Sequence, residues 1–209
     1  MPRVVDPVRR RAAVYDAVFA VVVEDGLQAV SLRRVAERAG LAIGSVRHYF
    51  DSAEAMLTAA AEEVMARIAG RIEARRDELD DASDRRRVTE EMFAELLPLD
   101  DVRARETAVW LEFALAARTV PAFGPVAEQL HRGVRDLAVI VLRAGGVVPE
   151  GDLEVEAERL AALVDGLGLG GTLRPSALPP DLARAVLRRH LDELATGPDG
   201  SGHTDAGRP

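Results

Sequence analysis

Apolar residues recur along this chain at steps of three and four, and Gly or Pro cuts the pattern into blocks. Val14, Val18, Val21 and Val22 share one helical face and Gly26 stops the run. This predicts a helix over about 7–25, with Asp6-Pro7 as cap and first residue. Ser31 sets up a short helix with Leu32, Val35, Ala36 and Ala39 on one side, closed by Gly40. A second short helix covers about 42–49. Asp51 or Ser52 caps a long helix over about 53–79, with apolar positions Met56, Leu57, Ala60, Val64, Ile68, Ile72 and Leu79. Further helices are predicted near 84–97, 101–118, 122–144, 152–169 and 180–195. Pro98, the Pro121/Pro125 pair, Gly145-Gly146 with Pro149, and the stretch from Arg174 to Pro180 separate them. No strand pattern or internal repeat emerges, so the expectation is an all-α chain of about nine helices. Residues 196–209 lack apolar periodicity and read as a disordered tail.

Composition narrows the chemistry. Hydrophobic residues make up 48% of the 209, enough for a sizeable core, but aromatics only 4%. The core is therefore built from Ala, Val and Leu, which favours helices. There is no Cys, which excludes disulfides and thiolate metal sites. His48, His131, His190 and His203 show no ligand spacing, so neither a metal nor another cofactor is expected. No Ser-His-Asp arrangement stands out, and no catalytic residue is assigned. No segment approaches the roughly 20 apolar residues of a membrane span, and no signal peptide is read. A cytoplasmic protein without a membrane partner is expected.

Charge is unevenly placed. The chain carries a net −8, yet residues 1–50 hold eight Arg against five acids and residues 51–209 hold 19 Arg against 30. A local basic face is what nucleic-acid binding requires. Within that basic segment the two short helices, joined at Gly40, form a helix-turn-helix pattern. The second helix of such a unit enters a major groove. Ala42 and Ile43 open that helix. Gly44 lets backbone approach closely, and Ser45, Arg47, His48 and Tyr49 offer donors to phosphate or base edges. Ser31, Arg33 and Arg34 begin the preceding helix, where N–H groups suit a phosphate. The same spacing also describes an ordinary Gly-linked helix pair, with Tyr49 and Phe50 as core plugs.

From Val14 to Leu57 the chain resembles the DNA-binding domain of the TetR family of transcriptional regulators. The resemblance runs through Gly26, Val30-Ser31-Leu32-Arg33, Val35-Ala36, Ala39-Gly40-Leu41, Gly44-Ser45-Val46, His48-Tyr49-Phe50 and Ser52. Further on, Arg103, Glu106, Trp110 and Phe113, then Leu163-Val164-Asp165-Gly166-Leu167, look like the BetI-type C-terminal domain of that family. The chain departs from the pattern at Ala42, where a Ser or Thr cap is usual, and at Arg47, often Tyr. It departs again at Ala53, often a phosphate-contacting Lys. Arg47 then reads a guanine or replaces the lost phosphate contact.

The resemblance implies three segments: a helix-turn-helix DNA-binding domain at 1–52, a larger helical effector-binding and dimerisation domain at 53–195, and the tail. It also implies a cavity for a small-molecule effector. Phe93, Trp110, Phe113, Phe123 and His131 are either ordinary core or its walls, with Arg105, Glu106, Arg135 and Asp165 as polar anchors. Helices near 152–169 and 180–195 carry apolar stripes that would pair two subunits. A homodimer places two reading helices on a palindromic double-stranded operator. The expected protein is a ligand-released repressor and not an enzyme. A small helical enzyme using the Trp110 cavity, or an interaction module using the C-terminal stripes, are the alternatives. The run Gly166-Leu167-Gly168-Leu169-Gly170-Gly171 superficially resembles a dinucleotide fingerprint. It follows a helical pattern rather than a strand, and is read instead as permitting close helix contact.

Overall fold

A computed structural model of the protein describes residues 7–76, 85–146 and 148–196. Within them lie nine α-helices and no strand: α1 (Pro7–Asp25), α2 (Leu32–Ala39), α3 (Ile43–Arg47), α4 (Ala53–Glu73), α5 (Arg85–Ala94), α6 (Asp101–Ala116), α7 (Gly124–Gly145), α8 (Leu153–Leu173) and α9 (Pro180–Thr196). The all-α reading holds. Several ends differ from expectation. Helix α3 stops at Arg47, α4 at Glu73, and α5 at Ala94, while α8 runs past 169 to Leu173. The last difference has a packing cause. Gly168, Gly170 and Gly171 are buried against neighbouring segments, which offsets their poor helix propensity. The tail beyond Thr196, the Asp6 cap and Leu79 fall outside the described residues.

Two cores organise the helices. The lower one joins α1 to α4 through Val14, Val18, Val22, Val35, Val46, Phe50, Met56, Ala60 and Val64. It does not stop at residue 52. It continues along α4 and takes in Val109 and Phe113 of α6, with Phe123 stacked edge-on against Phe113 at 5.2 Å. The upper core packs α5, α7, α8 and α9 through Phe93, Leu97, Leu137, Leu160, Val164, Leu187 and Leu191. Each such side chain, fully buried, contributes about 1.5–3 kcal/mol of transfer free energy. Of the stripes expected to pair two subunits, Leu160, Val164, Leu167, Leu187 and Leu191 are used inside the protomer. Val155 and Leu182 of the same stripes face outward, and Leu169 and Leu173 of α8 are exposed with them.

Buried carboxylates are clamped by arginines. Arg71 of α4 donates to Glu95 (2.8 Å) and to both oxygens of Glu106 (3.2 and 2.6 Å), and Arg75 donates to Glu95 (2.8 Å). Glu90 of α5 accepts from Arg184 (2.9 Å) and Arg188 (3.0 Å), tying α5 to α9. Burial pushes the carboxyls of Glu90 and Glu95 up, but the arginine hydrogen bonds win and hold both below the ordinary range.

Candidate nucleic-acid interface and effector cleft

Helix α2 begins at Ser31, whose hydroxyl accepts from the Arg34 N–H (3.2 Å), and it ends at Gly40. Gly40 adopts φ 66°, a left-handed conformation that favours glycine. Its N–H and that of Leu41 return to carbonyls at the end of α2, which turns the chain sharply into α3. Val46 and Phe50 anchor α3 in the lower core, with Phe50 6.0 Å from the Tyr15 ring. Ala42, Ile43, Gly44, Arg47 and His48 are exposed. Ala42 caps α3 without a side-chain hydrogen bond. Ser45 and Tyr49 are half-buried, and Tyr49 packs on the lower core beside Phe50 and His48. Gly44 has an ordinary helical backbone, and a Cβ there would meet nothing within 4 Å. The fold itself therefore makes no demand for glycine at this position.

The arginines of α2 are already engaged. Arg33 donates to Glu37 (2.9 Å), Arg34 to Asp25, and Arg38 to Glu24 (2.6 Å). The hydrogen bond from Arg38 holds the Glu24 carboxyl below its ordinary range. Among the described residues Arg47, Arg9 and Arg10 have no carboxylate partner, and Arg11 donates to the Tyr15 hydroxyl (2.6 Å). The basic surplus of this segment thus lies on α3 and on the first turns of α1. The sequence pattern did not reveal this, because the partners Glu24 and Asp25 sit on a different helix.

A cleft opens between α4 and α7, of about 580 Å³, walled by Met65, Ile68, Ile72, Leu96, Leu130, Val134 and Leu137. It shares Ile68, Leu96, Leu130 and Val134 with a small inner recess of about 30 Å³, which Thr107, Trp110, Asp165 and Gly168 complete. The Trp110 indole N–H is buried with no acceptor. Asp165 has no arginine on it. The His131 imidazole stands 4.0 Å away, and burial pushes the Asp165 carboxyl up.

Of the expected anchors, Trp110 and Asp165 line this space and the others lie elsewhere. Phe93 is inside the upper core, and Phe113 and Phe123 are inside the lower one. Glu106 is taken by Arg71. Arg105 is exposed, near enough to Glu24 of α1 to influence its charge. His131 and Arg135 stand over α8 beside Glu158. The walls from α4 and α7 escaped sequence reading because their apolar positions have the spacing of any core stripe. Among the described residues no group of His and acids could hold a metal, and no helix is long and apolar enough to cross a membrane.

Known proteins share this architecture. The HTH-type transcriptional regulator PksA of Bacillus subtilis is 30% identical over 197 residues, spanning 93% of this chain and 94% of its own. A transcriptional regulator from Rhodococcus sp. Rha1 superposes with a TM-score of 0.77 at 29% identity, covering 89% of this chain and 96% of the other. A regulator from Saccharomonospora viridis, solved in complex with choline, shares the fold with a TM-score of 0.76 at 20% identity, covering 89% and 97%. Residues 14–60 match the family of bacterial regulatory proteins, tetR family. Residues 84–196 match the family described as BetI-type transcriptional repressor, C-terminal. The chain, a helix-turn-helix transcriptional regulator and not an enzyme, belongs to the TetR family.

Proposed function

We propose that this protein is a cytoplasmic repressor that grips a palindromic operator as a homodimer and lets go when a small effector fills the α4–α7 cleft. The observation that carries this reading is the double membership of α6. Its Thr107 and Trp110 line the recess at the inner side of the cleft, and its Val109 and Phe113 are buried in the core that supports α3. An effector seated against Trp110 therefore acts on a helix that also packs beneath the reading head. Differential affinity for two positions of α6, about 1–3 kcal/mol in typical coupled systems, becomes a change in DNA affinity.

The operator is read by α3. Arg47 is exposed and unpaired, and Gly44 is open where the fold has no use for glycine, which suits a backbone approaching DNA. The outward residues Val155, Leu169, Leu173 and Leu182 support α8 and α9 as the dimer face. At the inner recess, the half-buried Asp165 has no arginine partner among the described residues, unlike the buried Glu90, Glu95 and Glu106, which favours an effector bearing a hydrogen-bond donor or positive charge. The choline in the Saccharomonospora viridis relative is of that kind.

A footprint of purified protein on the DNA flanking its own gene tests the reading. A protected palindrome at low salt, lost in Arg47→Ala with fold and dimer intact, is expected. No protection at low salt removes the proposal.

A further inference from the structure

Helix α2 carries three arginines in its eight residues, and each holds a carboxylate. Glu37 is the one expected on a solvated helix, four residues from Arg33. Asp25 and Glu24 are different. They end α1, and they reach across to Arg34 and Arg38, nine and fourteen residues further along the chain. Arg34 lies in the first turn of α2, directly after the Ser31 cap, where exposed N–H groups and the positive end of the helix favour an anion. A phosphate arriving there meets an arginine that already has one. The two ion pairs are solvent-exposed, Arg34 being 47% and Asp25 37% accessible. Exchange of carboxylate for phosphate is therefore sterically open, and the intramolecular pair is weak enough to be displaced.

We propose that Asp25, and with it Glu24, is an internal stand-in for DNA phosphate that masks the α2 arginines, so that Arg34 joins the interface only with DNA that is otherwise well matched to α3. The inference rests on the DNA-binding reading above. Its consequence is discrimination. Non-specific duplex offers phosphates but no base contacts, and must displace Asp25 with nothing to offset the loss. An operator displaces it while α3 gains its own contacts. Masking thus lowers background affinity more than operator affinity, which is the ratio that matters on a genome.

The test measures binding of a fluorescein-labelled duplex of arbitrary sequence across a salt series. Four proteins are compared: wild type, Asp25→Asn, Arg34→Gln and the double variant, each checked for an unchanged melting temperature. Arg34→Gln alone is expected to change little, because its guanidinium is masked. Asp25→Asn should bind roughly two- to fivefold tighter, the worth of an exposed ion pair. Its slope of log affinity against log salt should steepen by about 0.9, one phosphate contact. The double variant should lose both gains. A gain that survives in the double variant reflects only the removed negative charge and overturns the proposal, as does an Asp25→Asn protein that binds like wild type. If neither wild type nor Asp25→Asn binds duplex even at low salt, the DNA-binding reading itself has failed.

Discussion

Gly171 offers a sharp test of why α8 extends through its glycine run. A Cβ built there lies 2.7 Å from Cγ of Pro98, a ring carbon on the buried turn between α5 and α6. Ordinary carbon–carbon contact is about 3.5–4.0 Å, so Gly171→Ala must push the segments apart by about 1 Å. A proline ring has no flexible end to yield. Overpacking of this kind costs about 1–3 kcal/mol. Alanine also favours a helix interior over glycine by about 1 kcal/mol, which partly hides the clash. Gly70, also helical, supplies the reference: a Cβ there meets nothing within 4 Å, so Gly70→Ala carries only the favourable term. The difference between the two variants isolates the clash, about 1–3 kcal/mol. At this size that is a gap of roughly 2–12 °C in melting temperature, measured at one fixed protein concentration. If Gly171→Ala melts with Gly70→Ala, the close approach of α8 to Pro98 is wrong, and with it the packing account of the glycines.

Three further outcomes follow from local chemistry. Ala42→Ser should give α3 the side-chain cap it lacks and raise stability by about 1 kcal/mol in urea unfolding; no change would mean the turn cannot present the hydroxyl. Glu90 is held below its ordinary 4.5, so its contribution is present above that value and is lost as pH falls through the folded one. Unfolding free energy should therefore drop less steeply below about pH 4.5 in Glu90→Gln than in wild type, from a lower plateau, and parallel acid limbs would refute the clamp. Trp110 should change its emission when an organic cation enters the cleft and stay silent in Asp165→Asn at the same concentration; an equal response in both would separate Asp165 from recognition.

Much of the fold was legible because capping and spacing act locally. Ser31, Gly40 and Ser52 set helix ends where the structure has them, since each satisfies or releases a backbone group within four residues. The exposed surface of α3 was legible for the same reason. The state of Arg34 and Arg38 was not, because it depends on Asp25 and Glu24, which only the folded α1–α2 angle brings near. The α4–α7 cleft with its inner recess was legible in Trp110 and Asp165 and hidden in its walls. Ile68 and Val134 look like core in sequence, and only the separation of α4 from α7 leaves them lining space. Phe113 shows the converse. Its proximity in sequence to Trp110 implied a shared cavity, but one turn further along α6 it is buried in the lower core against Phe123.

The placement of Val109 and Phe113 bears on how such proteins can be recombined. A reading head cut from this chain after Ser52 and fused to a foreign sensor would leave behind all of α4 and two side chains that close its floor. Exchange between regulators of this architecture is therefore constrained at α6: a donor sensor must bring residues of matching volume at 109 and 113, or the graft inherits a cavity beneath the DNA-binding unit. Lineages that swapped their C-terminal domains would be expected to carry compensating changes at those two positions.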